Sequence, residues 1–377
     1  MRSYLYELIV DWEQNSLLKM EGEIMDNYPV TKVAAVQAAP VFLDRDATIE
    51  KVSVLTAEAA TKGAQLIVFP ESFVPCFPIW CLVCAPIDQH KFFELLYKNA
   101  VEDDSPAYHR LAEIAKINEV YLSIGVTEKG PYSMGAMWNT NYIFSPEGKM
   151  IGKHRKIMPT WAEKLVHSFG DGSTLKVLDT DIGRMGVLIC GENSNTLARY
   201  SLLAQKEQIH ISTYPPCWPT RRSSDIPGGY NIEAVNHVRA AAHSFEGKVF
   251  TIACAGVLDD MAIETVADGN AKLEEFLRNV AQPSTMIVGP DGEYVTEPIC
   301  AEEGIIYADL DISREISLKG VQDIAGAYQR FDIFQLNVNQ APLEPVRFYN
   351  NVSIPARDVE KEKGEKQDGG KDTEEAV

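Results

Sequence analysis

Leu66-Ile67-Val68-Phe69-Pro70-Glu71 is the stretch on which the reading of this chain turns. Four consecutive apolar residues stopped by a proline are too few for a helix and suit a strand buried on both faces. The run then delivers a carboxylate at its C-terminal mouth, which in layered α/β proteins is where ligands are commonly handled. A second run repeats the pattern. Met185-Gly186-Val187-Leu188-Ile189 ends on Cys190 and continues into Gly191-Glu192-Asn193-Ser194 before a helix.

Working outward, Lys32 to Ala38 reads as a strand ended by Pro40. Ile49, Val52, Leu55 and Ala59 space out an amphipathic helix from Ala47 to Lys62, which Gly63 stops. Ser105 to Asn118 reads as a helix and Val120 to Thr127 as a strand. Asn139 to Lys153 reads as a hairpin turning at Pro146-Glu147-Gly148. Leu175 to Asp179 pairs with Met185 to Cys190 through Asp181-Ile182-Gly183-Arg184. Helix, strand, helix and strand then follow at Leu197–Gln205, Ile209–Thr213, Ile232–Phe245 and Val249–Ala255. Thr285 to Leu310 supplies two more strands around the turn Gly289-Pro290-Asp291-Gly292. This alternation specifies a mixed α/β fold with helices outside sheet, and no repeat of solenoid length interrupts it.

Residues 1–29 read as an N-terminal extension, 30–354 as one domain, and 355–377 as a disordered charged tail, because Lys, Glu, Asp and Gly there offer too little apolar surface to offset ordering. Composition bounds the function. With 45% apolar and 24% charged residues among 377, the chain is of globular type. A net charge of −19, with Arg221-Arg222 as the one conspicuous basic pair after the central region, argues against a nucleic-acid partner. No segment is long and apolar enough to span a bilayer, and Met1 to Asn27 lacks the apolar core of a secretory signal. An odd count of seven cysteines, most of them within apolar runs, fits reduced thiols and a cytoplasmic setting. Asn351-Val352-Ser353, a formal glycosylation acceptor, is a chance match in that setting.

Cys81-Leu82-Val83-Cys84, with Cys76 nearby, invites a metal reading. A structural zinc site needs four ligands, usually as two paired knuckles, and no second pair is present, so these thiols read as packing residues and no metal is expected. Neither a P-loop nor a glycine-rich dinucleotide fingerprint occurs, and no cofactor is expected.

Three residues carry candidate chemistry, each with a plain alternative. Cys190 at a strand-to-turn junction is either a buried structural thiol or a nucleophile served by turn N–H groups. Glu71 is either a turn carboxylate or a general base whose pKa rises on burial. Lys156, after the exposed-looking Lys153-His154-Arg155, is either a solvated loop lysine or an electrostatic catalyst. Trp161, Tyr214 and Trp218 could line a pocket or fill the core.

Phe69-Pro70-Glu71-Ser72-Phe73, His154-Arg155-Lys156-Ile157-Met158-Pro159-Thr160 and Leu188-Ile189-Cys190-Gly191-Glu192-Asn193 resemble, in this order, the three signature regions of the nitrilase superfamily. Phe73-Val74-Pro75, Phe77-Pro78 and Glu207-Gln208-Ile209-His210-Ile211 look like its nitrilase branch, and the likeness runs from about Val33 to Leu310. The resemblance implies a four-layer αββα sandwich, with Glu71 as base, Lys156, Cys190 as nucleophile, and Glu163 as a second glutamate beside the lysine. It also implies hydrolysis of a nitrile to an acid and ammonia, and a homo-oligomer, either a dimer or a spiral. An amidase with the same residues, or a silent interaction protein keeping the fold, are the competing readings. Two positions depart from the pattern. Gly191 stands where many members have Trp, and His167 where some do. Both are expected to shape the substrate pocket together with Tyr214, with more room beside the sulfur.

Overall fold

Strand 1 (β1, Val30–Gln37) shows how sequence becomes layers here. Its side chains alternate: Ala34 and Val36 point into one apolar cluster, Val33 and Ala35 into another. The first cluster receives Ile49, Val52 and Ala59 from α1 (Arg45–Thr61) and Leu111, Ile114 and Ala115 from α2 (Pro106–Ile117). The second lies between two sheets. A strand buried on both faces must be continuously apolar, and each such side chain contributes roughly 1.5–3 kcal/mol on burial.

The computed structural model describes residues 28–219 and 231–346. Residues 1–27 of the expected extension, the whole of 355–377, Arg221-Arg222 and Asn351 lie outside these. Contacts divide the chain into a unit Met1–Leu343 and a unit Glu344–Val377, and of the latter only 344–346 are described. Among the described residues no helix is long and apolar enough to cross a membrane.

The first unit holds two six-stranded mixed sheets. One joins β1 to β2 (Leu66–Val68), β3 (Tyr121–Lys129), β4 (Met137–Phe144), β5 (Met150–Arg155) and β12 (Gly304–Asp311) in the order 12-1-2-3-4-5. The other holds β6 (Leu178–Thr180), β7 (Gly183–Ile189), β8 (Ile209–Tyr214), β9 (Phe250–Ala255), β10 (Ser284–Val288) and β11 (Ile299–Cys300) in the order 11-10-9-8-7-6. Val33, Leu66 and Val68 of the first sheet meet Val187, Ile211 and Ile252 of the second. Helices α3 (Thr196–Leu203) and α4 (Ile232–Gly247) cover the outer face of the second sheet, with Ala198 and Leu202 against Leu188 and Ala240 against Ile189. The architecture is an αββα sandwich.

Most expected elements stand within a few residues of their positions. Two differ. The turn at Gly289–Gly292 forms, with Gly292 at φ 88°, but its second arm is reduced to a bridge at Tyr294 and the two-residue β11 paired with β10. The chain then crosses to the first sheet, where β12 pairs antiparallel with all of β1. The expected strand at Leu175–Asp179 shortens to β6 because Gly172–Thr174 forms a 3-10 turn capped by Asp171.

Candidate active site

Glu71 lies three residues past the end of β2. β3 runs so close beside it that a Cβ on Gly125 would lie 2.2 Å from the Pro70 carbonyl oxygen. Only a glycine admits that approach. Glu71 is fully buried, and Oε1 accepts hydrogen bonds from Asn139 Nδ2 at 2.6 Å and Lys156 Nζ at 2.7 Å. Oε2 has no partner among the described residues.

Lys156 follows β5 directly. Lys153-His154-Arg155 looks exposed in sequence but is not a solvated loop. These residues form the end of β5, with His154 buried and Arg155 paired to the buried Glu128. Lys156 is buried too, and its ammonium also donates to Glu163 Oε2 at 2.7 Å. Glu163 sits on the 3-10 turn Trp161–Leu165 and accepts from four donors. Lys156 and the Thr160 N–H (2.9 Å) reach Oε2, while Asn139 (2.8 Å) and His167 Nδ1 (3.1 Å) reach Oε1.

This unequal supply of donors separates the two carboxylates. Burial pushes Glu71 up to about 7, against the pull of Lys156 and helped by the charge of Glu163. Burial acts on Glu163 too, but Lys156 and His167 overcome it and hold that carboxyl well below the usual range. Burial would lower the pKa of Lys156, yet Glu163, Glu71 and Cys190 together raise it well above its ordinary value. Glu163 is therefore a fixed anion, Lys156 a fixed cation, and Glu71 the group able to exchange a proton near neutrality.

Cys190 follows β7 directly and sits in the left-handed region, φ 51°, a strained placement for a non-glycine residue. The hydrogen bonds at this turn go to its backbone. Glu192 Oε2 accepts from the Ile189 N–H (2.8 Å) and from His154 Nε2 (2.9 Å), while Oε1 accepts from the Ile157 N–H (2.6 Å). One carboxylate thus ties the cysteine turn to the segment carrying Lys156. Asn193 Nδ2 donates to the Leu188 and Cys190 carbonyls at 3.2 and 3.1 Å. Burial raises the thiol to about 12, with Glu71 adding to the rise and Lys156 and Arg239 opposing it. In the resting protein burial dominates, so the thiol needs a base.

Each pocket candidate has a definite place. Tyr214 is fully buried in one cluster with Cys190 and Ile189. His167 is turned into the protein, its Nδ1 on Glu163 and Nε2 3.4 Å from Thr127 Oγ1, so it orients the second glutamate instead of facing open space. A Cβ on Gly191 would lie 2.7 Å from Thr160 Oγ1, so the space gained by losing a side chain there is already filled. Trp218 packs on Phe77 and Trp161 is exposed. Cys76 and Cys81 are buried among Phe77, Ile79 and Trp80, with Cys84 partly exposed. A narrow apolar cavity of about 10 Å³, no larger than a water molecule, reaches Glu71, lined by Phe42, Phe73, Phe77, Pro216 and Leu258 among others.

Sequence reasoning passed over Asn139, Glu192, Asn193 and Gly125. Asn139-Thr140-Asn141, a polar run inside a buried strand, was the one available signal for the first. It quoted Glu207 and His210 as motif residues without a role and passed over His243; the ligand atoms of the three lie within 4.8 Å of one another.

Residues 32–319 match the carbon-nitrogen hydrolase family. The chain is 36% identical to a nitrilase of Paraburkholderia phymatum over 85% of its own length and 90% of the relative's. It is 32% identical to an aliphatic nitrilase of Rhodococcus rhodochrous (84% of each chain) and 32% identical to an arylacetonitrilase of Aspergillus niger (88% and 98%). Among solved structures it resembles an amidase from Nesterenkonia sp. AN1, with a TM-score of 0.55 at 16% identity over 76% of this chain and 92% of that one, a likeness of fold. By the match over three quarters of its length, this chain belongs to the carbon-nitrogen hydrolase family.

Proposed function

We propose that the protein hydrolyses a nitrile to a carboxylic acid and ammonia, with Cys190 as nucleophile, Glu71 as general base, Lys156 as electrostatic catalyst and Glu163 holding the lysine in place. The observation that carries this is the asymmetry of the two buried carboxylates around one lysine: Glu163 has four donors, whereas Glu71 keeps one bare oxygen and a pKa of about 7.

The chemistry follows from those states. A nitrile carbon is a weak electrophile, so the thiol must ionise as it attacks, and the bare Oε2 of Glu71 takes its proton. Negative charge gathers on the nitrile nitrogen, where Lys156, desolvated and fixed by two carboxylates, stabilises it and donates a proton to the forming thioimidate. Glu71 passes the thiol proton on to Lys156 through their hydrogen bond, which restores both groups. Glu71 next draws a proton from a water that adds to the thioimidate carbon. The proton passes to nitrogen, and ammonia leaves as the thioester forms. A second water, activated in the same way, cleaves the C–S bond, releases the acid and returns the proton to sulfur. If the tetrahedral intermediate expels sulfur first, an amide is released instead.

Nitrilase relatives matching 84–85% of the chain support this reaction class. All seven cysteines are free thiols, which supports a reducing compartment such as the cytoplasm. Exposed Tyr328, Phe331, Ile333 and Phe334 along the segment after Arg314–Val321 support a surface covered in a homo-oligomer. We read residues 30–354 as the hydrolase domain, working with a small nitrile and without a metal or cofactor.

Ammonia and acid release from a panel of aliphatic, aryl and arylaceto nitriles and the matching amides, with Cys190→Ala in parallel, tests the reading. Acid from nitriles that vanishes in the variant is expected. The rate should rise with pH through about 7 as Glu71 ionises. Turnover of amides alone would reassign the substrate, and turnover surviving Cys190→Ala would remove the nucleophile from its role.

A further inference from the structure

Behind the cysteine turn lies a chain of buried polar side chains that the reaction scheme leaves unused. Glu207, His210 and His243 are fully enclosed, Glu207 just before β8, His210 on β8 and His243 on α4. His210 Nδ1 donates to Glu207 Oε1 at 2.7 Å and His243 Nε2 donates to Glu207 Oε2 at 2.8 Å. On its other side His210 Nε2 lies 2.8 Å from Asn193 Oδ1. The two imidazole centroids lie 3.8 Å apart, with the ring planes tilted by 37°.

Hydrogen accounting fixes which atoms carry protons. The Asn193 amide cannot be turned over, because its Nδ2 faces two carbonyls, those of Leu188 and Cys190. Its Oδ1 is therefore the atom that meets His210, and it only accepts. Glu207 only accepts as well, since His210 and His243 overcome its burial and hold the carboxyl down at about 2. His210 faces an acceptor at each nitrogen. His243 needs just one proton: its Nδ1 has no partner among the described residues, and burial, with the neighbouring His210, lowers it to about 4.

We propose that His210, carrying hydrogen on both ring nitrogens, is a positioning residue for Cys190, transmitting the anchor at Glu207 through Asn193 to the backbone of the nucleophile. The inference rests on Cys190 being that nucleophile. The Asn193 amide grips the carbonyls on either side of Ile189, the residue just before the left-handed Cys190, and His210 stops that amide from rotating. Gly186 makes the anchor possible, because a Cβ there would lie 2.0 Å from Glu207 Oε1. The same three residues could in principle ligate a metal, but their donor atoms already meet head-on through hydrogens, which accounts for the geometry with no ion.

Two measurements test this. Neutron diffraction from deuterated crystals of the whole protein should show deuterons on both nitrogens of His210 and on Nε2 alone of His243. A single deuteron on His210, or a metal ion among the three residues, overturns the proposal. In solution, Asn193→Asp keeps the shape and the acceptor for His210 but loses both grips. Its Cys190 should be alkylated by iodoacetamide about tenfold or more slowly, and kcat should fall with KM little changed, in folded protein. Conversion of His210 to Gln should show the same pattern. Unchanged alkylation rates in both variants would overturn the proposal. Because alkylation reports on the thiol whatever the substrate, a failure of the nitrile reading would leave that result standing, and the neutron result needs no variant to fold.

Discussion

Two strands, one from each sheet, end at the site, and they hold their reactive residues in opposite ways. Past β2, the side chain of Glu71 is fixed by Asn139 and Lys156, with Ser72 after it at φ 44°. Past β7, the hydrogen bonds go to the main chain, where Glu192 takes the Ile189 N–H and Asn193 grips the Leu188 and Cys190 carbonyls, with Cys190 itself at φ 51°. The difference fits the roles proposed for the two residues, Glu71 as base and Cys190 as nucleophile. A base is defined by the charges around its carboxylate, so its neighbours must be ionic and close. A nucleophile must move its sulfur toward carbon, so the protein fixes the backbone beneath it.

The comparison breaks most severely at Lys156. Its ammonium lies between two fully buried carboxylates, and Lys156→Ala leaves both without their cation. Breaking a buried pair in this way typically costs about 3–5 kcal/mol, so urea unfolding should show a loss of that order together with loss of turnover. A stable variant that retains activity would mean that the lysine neither holds nor helps the base.

On the cysteine side the corresponding change is Glu192→Gln. Both carboxylate oxygens are occupied by donors, so the amide must aim an NH2 at one of them and leave a buried N–H unmatched. The expected loss is about 1–3 kcal/mol. It should depend on pH. Burial lowers the pKa of His154, but the charge of Glu192 outweighs burial and raises it. A raised folded pKa contributes stability that is fully present below the unfolded histidine value of about 6.5 and is lost as pH rises through the folded one. Wild type and variant should therefore differ more at about pH 6 than at about pH 9, and a difference independent of pH would show that the His154–Glu192 pair is neutral throughout.

On both sides the reactive residues were far more legible in the sequence than the groups that hold them. Alternating and continuous apolar runs place β1, β2, β7, β8 and β9 and the helices over them, because burial on one or both faces writes itself into the residue pattern. Glu71, Lys156, Glu163 and Cys190 could be chosen from their motif company. The supports could not. Glu192 joins Ile157, 35 positions back in the chain, and His243 reaches Glu207 across 36, and no local pattern encodes such meetings. Lys153-His154-Arg155 looked exposed because charged residues usually are, and tertiary pairing with Glu128 and Glu192 overrode that prior. The crossing of β12 to β1 was hidden for the same reason, since its pairing partner lies at the other end of the domain.

The smallest effect separates room from crowding beside the sulfur. A Cβ on Gly191 would meet Thr160 Oγ1 at 2.7 Å and Cγ2 at 3.7 Å, so Gly191→Ala forces one hydroxyl to move while the rest of Thr160 stays in ordinary contact. Rotation about a single side-chain bond limits the cost to about 1 kcal/mol, the low end of overpacking penalties. Removing the hydroxyl as well, in Gly191→Ala with Thr160→Ala, should recover part of that loss, because residues in contact are not additive. Recovery in thermal unfolding and in kcat/KM would make the glycine an accommodation for Thr160. If Gly191→Ala alone cost nothing and shifted preference among nitriles, position 191 would instead face the substrate, and the backbone-held side of the site would also be the side that reads it.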